Sequence, residues 1–195
     1  MTAQLHPAEN RGLRELYLST RQLVDHWSVL ATYRPGPELE AALTRGAEAG
    51  RDLLAELEPA TAAHGLYGRP AAQGAGRALG RQRGTVRDRF MERNQAARFA
   101  VEDIQHVGTL LGYLAAVSVT SGNAELADLA GRWERKLRRL ENEIRRVVIQ
   151  LGANPDSAIE PLDSSLLGRA AQGVGKLAGT LGEWVDARAA RRASS

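Results

Sequence analysis

The stretch VEDIQHVGTLLGYL, residues 101–114, holds the residues with the clearest capacity for chemistry. Glu102 and Asp103 lie four and three residues before His106, inside a long helical pattern. Two carboxylates and an imidazole are the raw material of a metal centre built across a helix bundle. Such a centre needs inward carboxylates on facing helices, with a Glu-x-x-His pair on each of two of them.

Helix angle argues against that reading. At about 100° per residue, the inner stripe of this segment is Phe90, Ala97, Val101, Ile104, Gly108, Leu111 and Ala115. Glu102, Asp103 and His106 project more than ~100° from its centre. The other helical segments offer no partners. Glu48 and Asp52 face outward, and Glu40, Glu56, Glu58, Glu134, Glu141 and Glu143 are flank residues. Glu15, Asp25 and His26 lie off the stripe of the first helix, and Glu-x-x-His occurs nowhere. The expectation is therefore no metal, no cofactor and no catalytic residue, hence a protein that is not an enzyme.

A second apolar set on the same helix, Phe99, His106, Leu110, Tyr113 and Val117, falls on a face roughly opposite the first. A helix apolar nearly all round is buried on two sides. Phe99, Glu102, His106 and Tyr113 thus mark a candidate ligand or partner face. A C-terminal helix is expected to cover it, half-burying His106 and Tyr113, with Glu102 or Asp103 as the partner of His106.

The elements that position these residues are all helical. Runs of β-branched residues are short and alternation does not persist, so heptad-like spacing dominates. Helix one is expected over residues 8–33, with Leu13, Leu16, Leu23, Trp27 and Leu30 on its stripe. The RPGPE turn at 34–38 ends it, with Gly36 as cap and Pro37 at a first helical position. Helix two runs over 37–63, with Pro59 inside it as a kink or an early end, and Gly46 and Gly50 on its stripe imply a close helix approach. A Gly-rich connection fills 64–84. Helix three is expected over 85–121, opened by Thr85-x-x-Asp88 as a capping box. SGN at 121–123 separates it from helix four, 124–151, which Gly152 stops and Pro155 keeps from restarting. The linker ANPDSAIEPLD leads to helix five over 164–190.

Composition narrows the function classes. The chain has 195 residues and no cysteine, which excludes disulfides, thiol catalysis and cysteine-bound metals and fits a cytoplasmic setting. A chain of this length buries ~70% of its unfolded surface and needs no covalent staple. The start has no signal pattern, and the apolar run 107–121 is too short for a ~20-residue membrane span. Net charge is +3, and the cations are Arg except Lys136 and Lys176. Seven Arg lie within 69–93 with Phe90 as the one aromatic among them, too few to stack successive bases, so no nucleic-acid partner is expected. GAGRALG at 74–80 lacks the strand and the Lys-Ser/Thr of a phosphate loop. His26 beside Trp27 reads as a structural flank residue.

The helix order, the kinked second helix and the connection before ERNQAARFAVEDIQHVGTLLGYLAAV resemble the ferritin-like bundle superfamily, in particular uncharacterised bacterial members of actinobacterial type. The likeness covers residues 8–152. It implies an all-α four-helix bundle. Where that superfamily carries metal ligands, this chain has Leu, Ala, Gly and Trp, so no ligand role transfers to any residue. The organisation expected is a bundle over 1–153 and a linker plus amphipathic helix over 154–195, packed on the outside. The function expected is binding or scaffolding, as a homo-oligomer or with a protein partner. A membrane surface held through the C-terminal helix is the second reading, and a small ligand or metal on the helix three/helix five face the third.

Overall fold

The computed structural model describes residues 5–63 and 91–162. Four long helices make up most of them: α1 (Pro7–Thr32), α2 (Pro37–Ala63), α3 (Arg93–Thr120) and α4 (Ala124–Leu151). A single turn, α5 (Pro155–Ala158), follows. Among the described residues there is no strand, only one isolated bridge, between Glu92 and Pro161. No helix among them is long and apolar enough to cross a membrane.

The helix ends follow local chemistry. α1 opens with a reciprocal cap: His6 Nδ1 accepts from the Ala8 N–H at 3.1 Å, and Glu9 Oε2 accepts from the His6 N–H at 2.8 Å. Gly36 at φ 118° and Gly122 at φ 74° form the two tight turns, in backbone regions that side chains rarely adopt. Asn123 Oδ1 accepts from the Leu126 N–H at 3.2 Å and caps α4.

Inter-helix contacts fix direction and order. Trp27 lies against Gly46 and Val24 against Gly50, so α1 and α2 are antiparallel. Leu114 reaches Gly12 and His26 meets Asp103, so α1 and α3 are antiparallel. Arg45 bonds Glu143 and Lys136 bonds Asp52 at 3.4 Å, which sets α4 antiparallel to α2. Gln105 donates to Glu141 at 3.0 Å across the α3–α4 seam, where Gly112 also lies near Glu134, so that pair is antiparallel too. The neighbours around the bundle are therefore α1–α2–α4–α3, with α1/α4 and α2/α3 on the diagonals. The pattern is up-down-down-up. α2 and α3 run parallel, and α3 begins at the opposite end of the bundle from the one where α2 stops. The two ends are about 40 Å apart, the length of a 27-residue helix.

Leu13, Leu16, Leu23, Trp27, Leu43, Leu53, Leu57, Ile104, Leu111, Leu114, Leu137 and Ile144 fill the space between the helices. Burying a Leu or Ile side chain fully contributes about 1.5–3 kcal/mol, so these residues dominate the packing energy.

The fold corrects three expectations. First, the helix expected over 85–121 does not include Met91 and Glu92, which are not helical, and α3 starts at Arg93. Glu92 is extended because its neighbours pair with 160–162. Arg93 N–H donates to the Glu160 carbonyl at 2.9 Å and Leu162 N–H to that of Met91 at 3.0 Å. Second, Pro155 does not prevent a restart. It occupies the first position of α5, behind an Asn154 cap. Third, the buried stripe of α3 is Ala97, Ala100, Ile104, Val107, Leu111, Leu114 and Ser118. Val101, Gly108 and Ala115 are only half-buried. The true stripe is rotated about 55° from the expected one, toward α1. Phe90, Thr85, Asp88, the 64–84 connection and the expected helix over 164–190 lie outside the described residues, as does its packing on α3.

Candidate functional site

The rotation of α3 redefines its second apolar face. Phe99, His106, Leu110, Tyr113 and Val117 lie about 85–145° from the true stripe centre, all on the side of α1. They form a flank of the α1–α3 seam, not an opposite face. Phe99 and Leu110 pack partly against the core. The Tyr113 ring lies near Gly12 of α1 yet remains 52% exposed. His106 does not become half-buried as expected: its side chain is 55% exposed, and its nearest acid is Glu15 of α1, Nε2 to Oε1 3.9 Å. Glu102 is exposed.

Asp103 is the residue that helix angle misplaced. Relative to the true stripe it lies only about 65° off centre. Its Oδ2 is 2.5 Å from Nδ1 of His26, with side chains 31% and 18% exposed. Asp103 is therefore a partner of His26 and not of His106. The pair ties α1 to α3 across 77 positions of sequence.

The carboxylates of the α2–α4 seam serve a similar role. Glu143 pairs with Arg45, Glu56 with Arg132 at 3.3 Å and Asp52 with Lys136 at 3.4 Å. Exposed pairs of this kind contribute ~0–1 kcal/mol each, so they register the helices more than they stabilise them. Between the helices, Trp133 is buried, and Lys136 Nζ lies 4.2 Å from its ring centre. Among the described residues, no three His, Asp or Glu side chains come together as a metal-ligand set.

Glu9 is the functional-looking residue that the sequence reading missed. It is 1% exposed, the one carboxylate among the described residues buried to that degree. Oε2 is held by the cap, but Oε1 is buried with no hydrogen-bond partner among the described residues. The signal was present in His6-Pro7-x-Glu9, an acid at the third helical position behind a cap and a first-turn proline. What the pattern could not show is that this first turn is covered.

Glu9 also lines a cleft of about 960 Å³ at the end of the bundle. The start of α1 (His6, Ala8), the last turns of α3 (Tyr113, Ala116, Val117, Thr120), the Ser121–Asn123 turn and the first residues of α4 line this open cleft. Tyr113 and Val117 are the residues of the expected second face that belong to it. No protein-family model matches the sequence, and neither the curated proteins nor the solved structures contain a match.

Proposed function

We propose that the protein is a ferritin-like bundle that acts by binding, with a second copy of the chain as its partner, and not by catalysis. The observation that carries this reading is the apolar flank of α3. Tyr113 is 52% exposed beside half-buried Phe99, Leu110 and Val117. Large exposed apolar side chains grouped along one flank mark contact surfaces, whereas scattered ones do not. A self-complementary patch closes most simply as a two-fold dimer. The up-down-down-up order supports the ferritin-like part, because bundles of that type have one long crossover. The Leu, Ala and Trp lining of the interior supports the non-catalytic part. Light scattering on the full chain, with Tyr113→Arg beside it, tests the reading. A dimer that the variant converts to monomer is the expected result. A wild-type monomer at all concentrations would contradict it.

A second reading is favoured by one contact. Leu162, 3% exposed, donates its N–H to the Met91 carbonyl just before α3, so the described chain ends at the head of that helix. The segment that follows, 163–195, is then the cover, within one chain. In that case Tyr113→Arg leaves the mass unchanged and lowers the melting temperature, as does truncation after Leu162.

A further inference from the structure

The α2–α4 seam lies across the bundle from the α1–α3 seam. It carries an open groove of about 340 Å³, lined by Glu56, Arg132, Trp133, Arg135, Lys136 and Arg139. The four cations stand at i, i+3, i+4 and i+7 of α4, so they share one face and span about 10 Å of the helix.

The carboxylates around this row are engaged or lie outside it. On α4, Glu134 bonds Arg138, Glu141 accepts from Gln105 and Glu143 bonds Arg45. From α2, Glu56 pairs with Arg132 at 3.3 Å and Asp52 with Lys136 at 3.4 Å. Glu48 and Asp128 flank the row without lining the groove. Among the described residues, Arg135 and Arg139 have no carboxylate partner. Two cations of the groove are therefore uncompensated.

The row is also partly set in place. Lys136 Nζ lies 4.2 Å from the Trp133 ring centre. A Cβ at Gly131 would lie 3.4 Å from Arg135 Nη1, so the Arg135 guanidinium rests back along α4 beside the residue that precedes Arg132. Like charges gathered in this way repel each other, and an anion between them relieves the repulsion. Arg132 and Lys136 are 58% and 43% exposed in their pairs. Such pairs contribute ~0–1 kcal/mol, so both cations can turn to a ligand at little cost.

The lining selects the ligand. Guanidinium forks bind paired phosphate or carboxylate oxygens. Several cations in a short groove suit a compact anion of high charge, and linked phosphates put the most charge into the least volume. Trp133, the one aromatic of the lining, is 3% exposed, so no ring is offered to stack a base. We infer that this groove binds a short chain of linked phosphates, free in solution. Arg135 and Arg139 make the principal bonds, and Arg132 and Lys136 add theirs. The site is independent of the self-association reading, whose face lies on the other side of the bundle.

Arginine Nε–H and amide chemical shifts of the full chain test it, at one fixed ionic strength. The probes are inorganic tripolyphosphate, hexaglutamate, an oligothymidylate and vesicles of phosphatidylglycerol and phosphatidylcholine in equal parts. The expected result is saturable shifts at Arg135 and Arg139 with tripolyphosphate, and weaker binding of the other three. Arg135→Gln combined with Arg139→Gln weakens binding about tenfold, the scale of one charge-assisted hydrogen bond. Glu56→Gln removes the carboxylate of the lining and tightens binding several-fold. These side chains are outside the core, so the variants keep the fold. No saturable shift with tripolyphosphate, or unchanged affinity in the double variant, would overturn the inference. So would binding of hexaglutamate, oligothymidylate or the vesicles at Arg135 and Arg139 as tight as that of tripolyphosphate, which assigns the row to an acidic protein, a nucleic acid or a membrane instead.

Discussion

At the scale of single residues, the glycines separate cleanly by what surrounds them. A Cβ at Gly46 would overlap the six-membered part of the Trp27 ring, and one at Gly50 would lie 2.6 Å from Val24 Cγ2. At Gly108 nothing lies within 4 Å. An alanine gains about 1 kcal/mol over glycine within a helix, while overpacking a close core contact costs about 1–3 kcal/mol. Trp27 is 1% exposed and has no room to yield, so the clash wins at Gly46. Gly46→Ala is expected to destabilise by about 2 kcal/mol, whereas Gly108→Ala is expected to stabilise by about 0.5–1 kcal/mol. Urea unfolding of the two variants checks both signs. The sequence reading anticipated close approach at Gly46 and Gly50 because they interrupt a Leu stripe. It also placed Gly108 inward, which the rotation of α3 corrects.

The His26–Asp103 pair belongs to the same scale. It is partly buried and charge-assisted when His26 is protonated. Asp103→Ala removes an interaction worth about 1–2 kcal/mol. Asp103→Asn keeps a hydrogen-bonding side chain and is expected to lose less. Denaturation of both variants at one pH measures the difference. No sequence argument reached this pair, because helical spacing reports neighbours along one helix and not across a seam.

Among the elements, the ends of α1, α2 and α4 were legible, since Gly36, Pro37, Asn123 and Gly152 act through local backbone chemistry. The start of α3 was not. Apolar periodicity continues through Phe90, but Met91 and Glu92 are drawn into pairing with residues 160–162, nearly seventy positions away. The phase of α3 was also ambiguous. Its middle is rich in Ala, Gly, Val and Leu on several sides, so two adjacent stripes satisfy the same spacing. The partner helices decide between them.

The 155–162 segment acts as a clasp on α3. Arg93 donates to Ser157 Oγ and to Glu160 Oε2, each at 2.8 Å, and Asn94 donates to the Ala158 carbonyl at 2.9 Å. Leu162 joins the main core. Leu162→Ala is expected to cost about 2–3 kcal/mol. Hydrogen exchange at the Arg93 amide should speed up in that variant more than exchange at Leu111. Equal protection of both amides would show that the segment is not coupled to the head of α3.

Across the whole molecule, four antiparallel neighbour pairs with two parallel diagonals give a closed interior of Leu, Ala, Ile and Trp. The sequence supplied the four long helices of the described residues, but not the single turn α5. It did not supply their order around the bundle, which depends on contacts between residues far apart. It placed the acids on helix flanks, and there Glu56, Glu134, Glu141 and Glu143 make their bonds. Among the described residues, Glu9 alone is a buried carboxylate, and it lies at the end of the bundle. The proposed division of labour follows: the interior holds the shape, and recognition belongs to the α3 flank and the α2–α4 groove.

That division is tested most directly by elemental analysis of full-length protein produced with iron, manganese and zinc supplied in excess, then gel-filtered. The account predicts that none of the three metals is retained in stoichiometric amount. Retention of one or more equivalents per chain would contradict it and return the interior to the centre of the function.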